Sequence, residues 1–239
     1  MQCDPEKLVM AECGRTDRDD VERFIHAVFA SAYGASVKRF MPRLFSVRSG
    51  RNEIQAAFGM RSAEGGRLFL ETYLDQPIEQ VIRESCGRMP RRRRIAEIGN
   101  LVAVHPGAVR WLISALAEML HDEGYEWVAF TGTAGLRNSF RNLGLRPLGI
   151  CEARPERLLP EEIGNWGAYY DKKPFVMVGD VYGGLRAMRA KELSLLDKSR
   201  ERGGLFKSLG RVKQCFQDFS GLRFSGSCSA GQASRHRKG

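Results

Sequence analysis

Glu97 stands in the stretch IAEIGNLVAV, residues 95–104, where only Gly99 and Asn100 also interrupt an otherwise apolar run. A carboxylate in such a strand loses hydration of its charged form. Its pKa rises, and it becomes able to accept a proton near neutral pH. The same burial invites a cation, and Arg61 or one of Arg91–Arg94 could hold Glu97 in an ion pair instead. Glycine inside a strand marks a bulge or a close backbone approach, so Gly99 predicts a local break in the ladder. Asn100 then either holds a substrate or caps that break. Arg61, in AAFGMR, and Glu71, in LFLETYLD, fall on neighbouring predicted strands. Arginine is the natural fork for a substrate carboxylate, and a structural Arg–Glu pair across two strands is the competing reading. His105, before Pro106 and Gly107, reads as a base, a phosphate contact or a structural residue. Cys151 has no histidine near it in sequence and reads as a small hydrophobe rather than a nucleophile.

These residues need elements to hold them. Val21, Phe24, Ile25, Val28, Phe29 and Ala32 recur at helical spacing after the N-cap candidates Thr16 and Asp17, and Gly34 ends the run. Residues 44–48, 54–62 and 68–73 read as an antiparallel meander, followed by a short helix over 77–85. The strand 95–104 leads to a second amphipathic helix, with Val109, Leu112, Ile113, Leu116 and Leu120 on one face, closing at Gly124. Residues 127–131 form a short buried strand, 136–143 a helix, and 147–153 and 175–181 two further strands. That order is a mixed sheet with a βαβ crossover near its centre, a layered α+β or α/β domain.

The chain has 239 residues, 43% hydrophobic and 28% charged, enough for one sizeable core. No apolar run reaches the roughly 20 residues that a membrane-spanning helix needs. The first residues show no basic segment followed by an apolar one, so a cytoplasmic location is expected. The net charge of +10 is concentrated at one end, because residues 183–239 hold 13 basic against 4 acidic side chains. A nearly neutral body argues against a nucleic-acid enzyme. Domain boundaries follow at 1–183 for the body and 184–239 for a basic tail, partly helical or unstructured. Leu205, Leu209, Val212, Phe216 and Phe219 give that tail an amphipathic stripe, read either as a membrane-surface contact or as a solvated tail. The six cysteines are scattered without a CxxC pair, and the histidines are not spaced for a metal, so no metal site is expected.

The element order resembles the GNAT acyltransferase fold and its relatives, the acyl-homoserine-lactone autoinducer synthases. The residues themselves resemble the thermostable hemolysin family more closely. The matching blocks are YGASVKRFMPRL, AAFGMR, LFLETYLDQPIEQ, IAEIGNLVAVHPGAVRWLI, WVAFTGTAGLRNSFRNLGLRPL and WGAYYDKKPFVMVGD. They cover roughly residues 20–182 in order and leave the tail outside. This resemblance implies a GNAT-like mixed, mostly antiparallel sheet with helices on both faces. It implies a gap beside the central strand, where an acyl-pantetheine arm would meet the backbone of Gly99, Leu101 and Val102. The helix after that strand would offer N–H groups around Gly107 and Ala108, with His105 beside them, to phosphate. Glu97 would take the proton from an attacking amine, and Arg61, Glu71, Asn100 and Thr131 would bind the acceptor.

Two departures refine the expectation. VHPGAVR replaces the Arg/Gln-x-x-Gly-x-Gly/Ala loop of acetyl-CoA enzymes, which favours an acyl carrier protein or another long-chain donor. Phe140 stands where many GNAT enzymes carry the tyrosine that protonates the leaving thiolate, which leaves Tyr170, or its neighbour Tyr169, for that task. The implied function is an N-acyltransferase moving a fatty acyl group from acyl carrier protein or acyl-CoA to a small amine, an amino acid among the candidates. No permanently bound cofactor and no nucleic-acid partner are expected. The alternatives are a membrane-active hemolysin acting through lipid and a non-catalytic module that binds acyl thioesters.

Overall fold

The computed structural model describes residues 8–201. Seven strands make one sheet among them: β1 (Val9–Glu12), β2 (Arg43–Arg48), β3 (Ile54–Ser62), β4 (Ile95–Ala103), β5 (Trp127–Gly132), β6 (Leu148–Glu152) and β7 (Phe175–Asp180). Their spatial order is β1-β2-β3-β4-β5-β7-β6. Every neighbouring pair is antiparallel except β4 and β5, which are parallel. Parallel neighbours need a crossover, and α3 (Pro106–Asp122) supplies it between them. The other helices are α1 (Arg15–Tyr33), α2 (Ile78–Cys86), α4 (Ala134–Asn142), the single turn α5 (Pro160–Ile163) and α6 (Val181–Glu201).

Strand alternation divides these helices between two faces. Glu97 pairs with Arg61 on β3 and Ala129 on β5, so the three share one face. On that face α2 packs Ile78, Val81 and Ile82 against Ile95, Ala129 and Val178, and α1 packs Val21, Ile25 and Phe29 against Leu44, Ala57 and Val102. Burying each such side chain contributes about 1.5–3 kcal/mol. The opposite face carries Met60, Ile98, Phe130 and Met177 in register. There α3 packs on β3 and β4, and α4 sets Phe140 against Phe130.

Residues 68–73 are not the strand their alternation predicts. Leu70–Tyr73 form a tight 3-10 turn. The reason is that side chains capture the backbone donors a ladder would use. Glu97 accepts the N–H groups of Phe69 and Leu70, and Glu71 accepts those of Leu68 and Ile78. β4 therefore pairs directly with β3. A further strand, β1, was not anticipated, since only Met10 of its four residues is buried. Helix α1 begins at Arg15, with Gly14 rather than Thr16 or Asp17 at its cap.

The expected boundary between residues 183 and 184 falls inside α6, whose Leu185 and Met188 are buried. The amphipathic stripe proposed for residues 205–219 lies outside the described residues. Among those that are described, no helix is long and apolar enough to cross a membrane.

Candidate functional site

The centre of the sheet opens because the parallel pair stops halfway. β4 and β5 are in register from Ile95–Trp127 to Ile98–Phe130, and no further. Beyond that point Gly99, Val102 and Ala103 pair only with β3, while Thr131 and Gly132 pair only with β7. The edges facing the gap are left without a strand partner.

A bulge helps to part them. Gly99 opposes Gly59 and Val102 opposes Ala57, so β4 carries one extra residue in between. Asn100 sits there with φ of 51°, a left-handed conformation that asparagine tolerates better than most residues. Its Oδ1 accepts the Met41 N–H at 2.9 Å, and its Nδ2 donates to the Arg39 carbonyl at 3.3 Å. Asn100 thus caps the bulge and ties residues 39–41 to it. A Cβ on Gly99 would meet only the flexible end of Met41, at Cε 2.5 Å away, whereas one on the opposing Gly59 would lie 2.5 Å from Met41 Cβ, so the close approach that requires glycine is at Gly59.

A cavity of about 1340 Å3 passes through the gap and reaches both faces of the sheet. Of the residues expected at the site, Arg61, Asn100, Thr131, Gly99, Leu101, Val102 and His105 line it. Glu97, Glu71, Tyr170, Gly107 and Ala108 do not line it. On the α1 face the lining includes Lys38, Phe69, Tyr73, Trp166 and Tyr169 beside Arg61. On the α3 face Ile113, Leu116, Leu120, Phe130, Leu136, Phe140 and Leu145 make it mainly apolar, with Thr133, Ser139 and Arg146 also on its lining.

Glu97 is 2% exposed and its carboxylate is fully engaged. Oε1 accepts the Leu70 N–H at 2.7 Å, and Oε2 accepts the Phe69 N–H at 3.0 Å. Oε2 also lies 3.1 Å from Arg61 Nε. Burial pushes the Glu97 carboxyl above its ordinary value, while Arg61 and the two N–H groups pull the other way. Of the two roles open to Glu97, this geometry is that of the ion pair. Arg61 meets Glu97 and Met41 Sδ through Nε, and its side chain is 33% exposed. Nη1 and Nη2 make no hydrogen bond to a described residue, which leaves a charged fork at the cavity wall.

Glu71 does not pair with Arg61, because it lies in the 68–73 turn rather than on a strand. Arg92 binds both of its oxygens, at 2.8 and 2.9 Å. Burial works against ionisation of Glu71. The Arg92 hydrogen bonds and two backbone N–H groups outweigh it and hold the carboxyl below the usual range. Arg92 also reaches Glu79 and the Gly66 carbonyl. The run Arg91–Arg94 precedes β4, at the end of the strand opposite His105.

At the other end of β4, His105 is the N-cap of α3, and its Nδ1 accepts the Ala108 N–H at 3.1 Å. The Val109 N–H is turned to the His105 carbonyl, and Pro106 has no N–H to give. The first turn of α3 therefore keeps little free donor capacity for a phosphate.

Tyr170 is set back from the cavity, but its hydroxyl lies 2.5 Å from that of Tyr73, which does line it. Burial pushes Tyr73 well above the usual tyrosine range and Tyr170 up to about 12, so both stay protonated at neutral pH. Tyr169 is packed among Phe29, Tyr33 and Trp166. The Cys151 thiol is raised by burial and rests against the Tyr73 carbonyl, away from the cavity.

Sequence reasoning missed Tyr73, Phe69, Trp166 and Met41 as cavity residues. The glycine in WGAYY was the available signal. Gly167 has φ of 49°, and a Cβ there would lie 2.1 Å from the Tyr33 carbonyl oxygen. That contact fastens the aromatic segment to the end of α1.

A parallel β–α–β unit whose two strands part midway, inside a mostly antiparallel sheet, defines the GNAT-like acyltransferase fold. Solved structures agree. FeeM, an N-acyl amino acid synthase from uncultured soil microbes, is 10% identical with a TM-score of 0.55, covering 77% of this chain and 95% of its own. BjaI, a CoA-dependent acyl-homoserine lactone synthase solved with SAM and isopentyl-CoA, is 13% identical with a TM-score of 0.50, covering 77% and 89%. No curated protein sequence matches. The chain belongs to the thermostable hemolysin family, which matches it over residues 11–185.

Proposed function

We propose that the protein is an N-acyltransferase that moves a fatty acyl group from a thioester donor to an amine bearing a carboxylate, such as an amino acid. One observation carries this reading: a single cavity crosses the sheet through the β4–β5 gap, apolar on the α3 face and cationic with aromatic walls on the α1 face. An apolar channel suits a hydrocarbon tail, and the free end of Arg61 suits a carboxylate.

The thioester carbonyl sits in the gap, beside the unpaired edge at Gly99, Leu101 and Val102. The amine nitrogen attacks its carbon, the C–S bond breaks, and the proton lost by nitrogen ends on the departing sulfur. An amide and a free thiol result. Glu97 acts through Arg61, holding the guanidinium so that its fork meets the acceptor. The Tyr73–Tyr170 hydroxyl pair stays protonated and offers a hydrogen bond to the leaving thiolate.

His105 occupies a donor that a pyrophosphate would use, and this favours acyl carrier protein over CoA as the donor. A cytoplasmic location, where such thioesters are made, fits this chemistry.

The test incubates the full chain with acyl-CoA and acyl-carrier-protein thioesters plus a pool of amino acids. Thiol release is followed, and products are weighed by mass spectrometry. A new acyl-amine mass with matching thiol is the expected result. Thioester binding without thiol release would overturn the transferase reading in favour of a binding module, and the absence of both binding and release would overturn the proposal outright.

A further inference from the structure

We infer that α6 sets the length of the donor's acyl chain, with Ala187 in the wall of the channel. The inference rests on the donor reading above and goes beyond it by naming which chain lengths are excluded and what excludes them.

The α3-face half of the cavity is lined by Leu116, Phe130, Leu136, Phe140 and Leu145, and by Ala187 of α6. Leu136, Phe140 and Leu145 are each only half-buried although they face inward, so their apolar surface lacks a partner that a hydrocarbon would provide. Ala187 contributes a single methyl group to this wall. A larger side chain at that position projects into the channel.

The wall is held in place at three points. Asp180 accepts the Gly183 N–H at 2.8 Å, which caps the start of α6. Leu185 and Met188 are buried, with Ser114 of α3 against the Met188 sulfur. Lys191 Nζ donates to the Asn142 carbonyl at 2.7 Å, at the end of α4. A helix fixed on both α3 and α4 cannot drift outward to admit a longer chain without losing these contacts.

The experiment measures donors from short to long chains against the wild type, Ala187→Phe, Ala187→Leu and Ala187→Gly. Transfer is read as thiol release, and binding of the same donors is read by native mass spectrometry. Ala187→Phe and Ala187→Leu should move the preferred chain to shorter lengths. The penalty should grow about fourfold for each methylene that no longer fits. Ala187→Gly should move the preference the other way, and it reports on the inference even if the phenylalanine variant fails to fold. An unchanged length preference in Ala187→Leu and Ala187→Gly, with a wild type that does discriminate, would overturn this inference and leave the acyltransfer proposal standing. A wild type that neither binds nor transfers any chain would overturn both.

Discussion

Glu97 and Arg61 face each other across the β4–β3 register, with Oε2 3.1 Å from Nε, and only the arginine reaches the cavity. The buried carboxylate thus presents a cation to the site. Arg61→Lys keeps the charge but loses the planar fork. Its KM for the acceptor should rise at least tenfold, while kcat at saturating acceptor should change much less. Steady-state kinetics with the acceptor varied makes the check, and an unchanged KM would remove Arg61 from acceptor binding. In Glu97→Gln one amide nitrogen must face a backbone N–H of Phe69 or Leu70, two donors with no acceptor between them. A loss of about 1–3 kcal/mol in urea unfolding is expected, together with the same rise in KM.

Glu71 provides a prediction in pH. Its carboxyl is held below its ordinary value near 4.5 in the fold. The unfolded chain therefore binds that proton more readily than the folded one. The stability from Glu71 is fully present above the unfolded value and is lost as pH falls through the folded one. Wild type and Glu71→Gln should differ most above about pH 4.5 and converge at lower pH, as measured by urea unfolding across that range. A constant gap would mean that the Arg92 contacts do not depend on the charge of Glu71.

Gly167→Ala places a methyl group against the Tyr33 carbonyl and adds a side chain at positive φ. Strain of this kind costs on the order of 1–3 kcal/mol for the backbone alone. The melting temperature should fall, and tryptophan fluorescence should change because Trp166 is adjacent. Wild-type stability in this variant would contradict the close approach.

Tyr73→Phe removes one hydroxyl of the Tyr73–Tyr170 pair but spares the packing of its ring. If the pair assists thiolate departure, kcat should fall about tenfold or more for donors with poor leaving groups and little for activated thioesters. An equal loss for both donors would assign the pair to structure. Tyr170→Phe, one step back from the cavity, should show the weaker form of the same pattern.

The sequence by itself determined the helices α1, α2, α3 and α4, the strands β2 to β7, and Glu97 as the carboxylate out of place in an apolar strand. Each of these is written in local periodicity, because a side chain's burial repeats with the element that carries it. The bulge at Asn100 was readable too, from glycine inside a strand. Tertiary structure alone decided the rest. LFLETY alternates like a strand, yet its Phe69 and Leu70 donors are captured by a carboxylate in β4, 28 and 27 residues away. That capture turns the segment into a 3-10 turn, pairs β3 with β4, and gives Arg61 to Glu97 while Glu71 goes to Arg92. The cavity likewise exists only once β4 and β5 have met for four residues and parted. Partners so distant in sequence leave no local pattern, because what selects them is the need of buried charges and backbone donors to be satisfied.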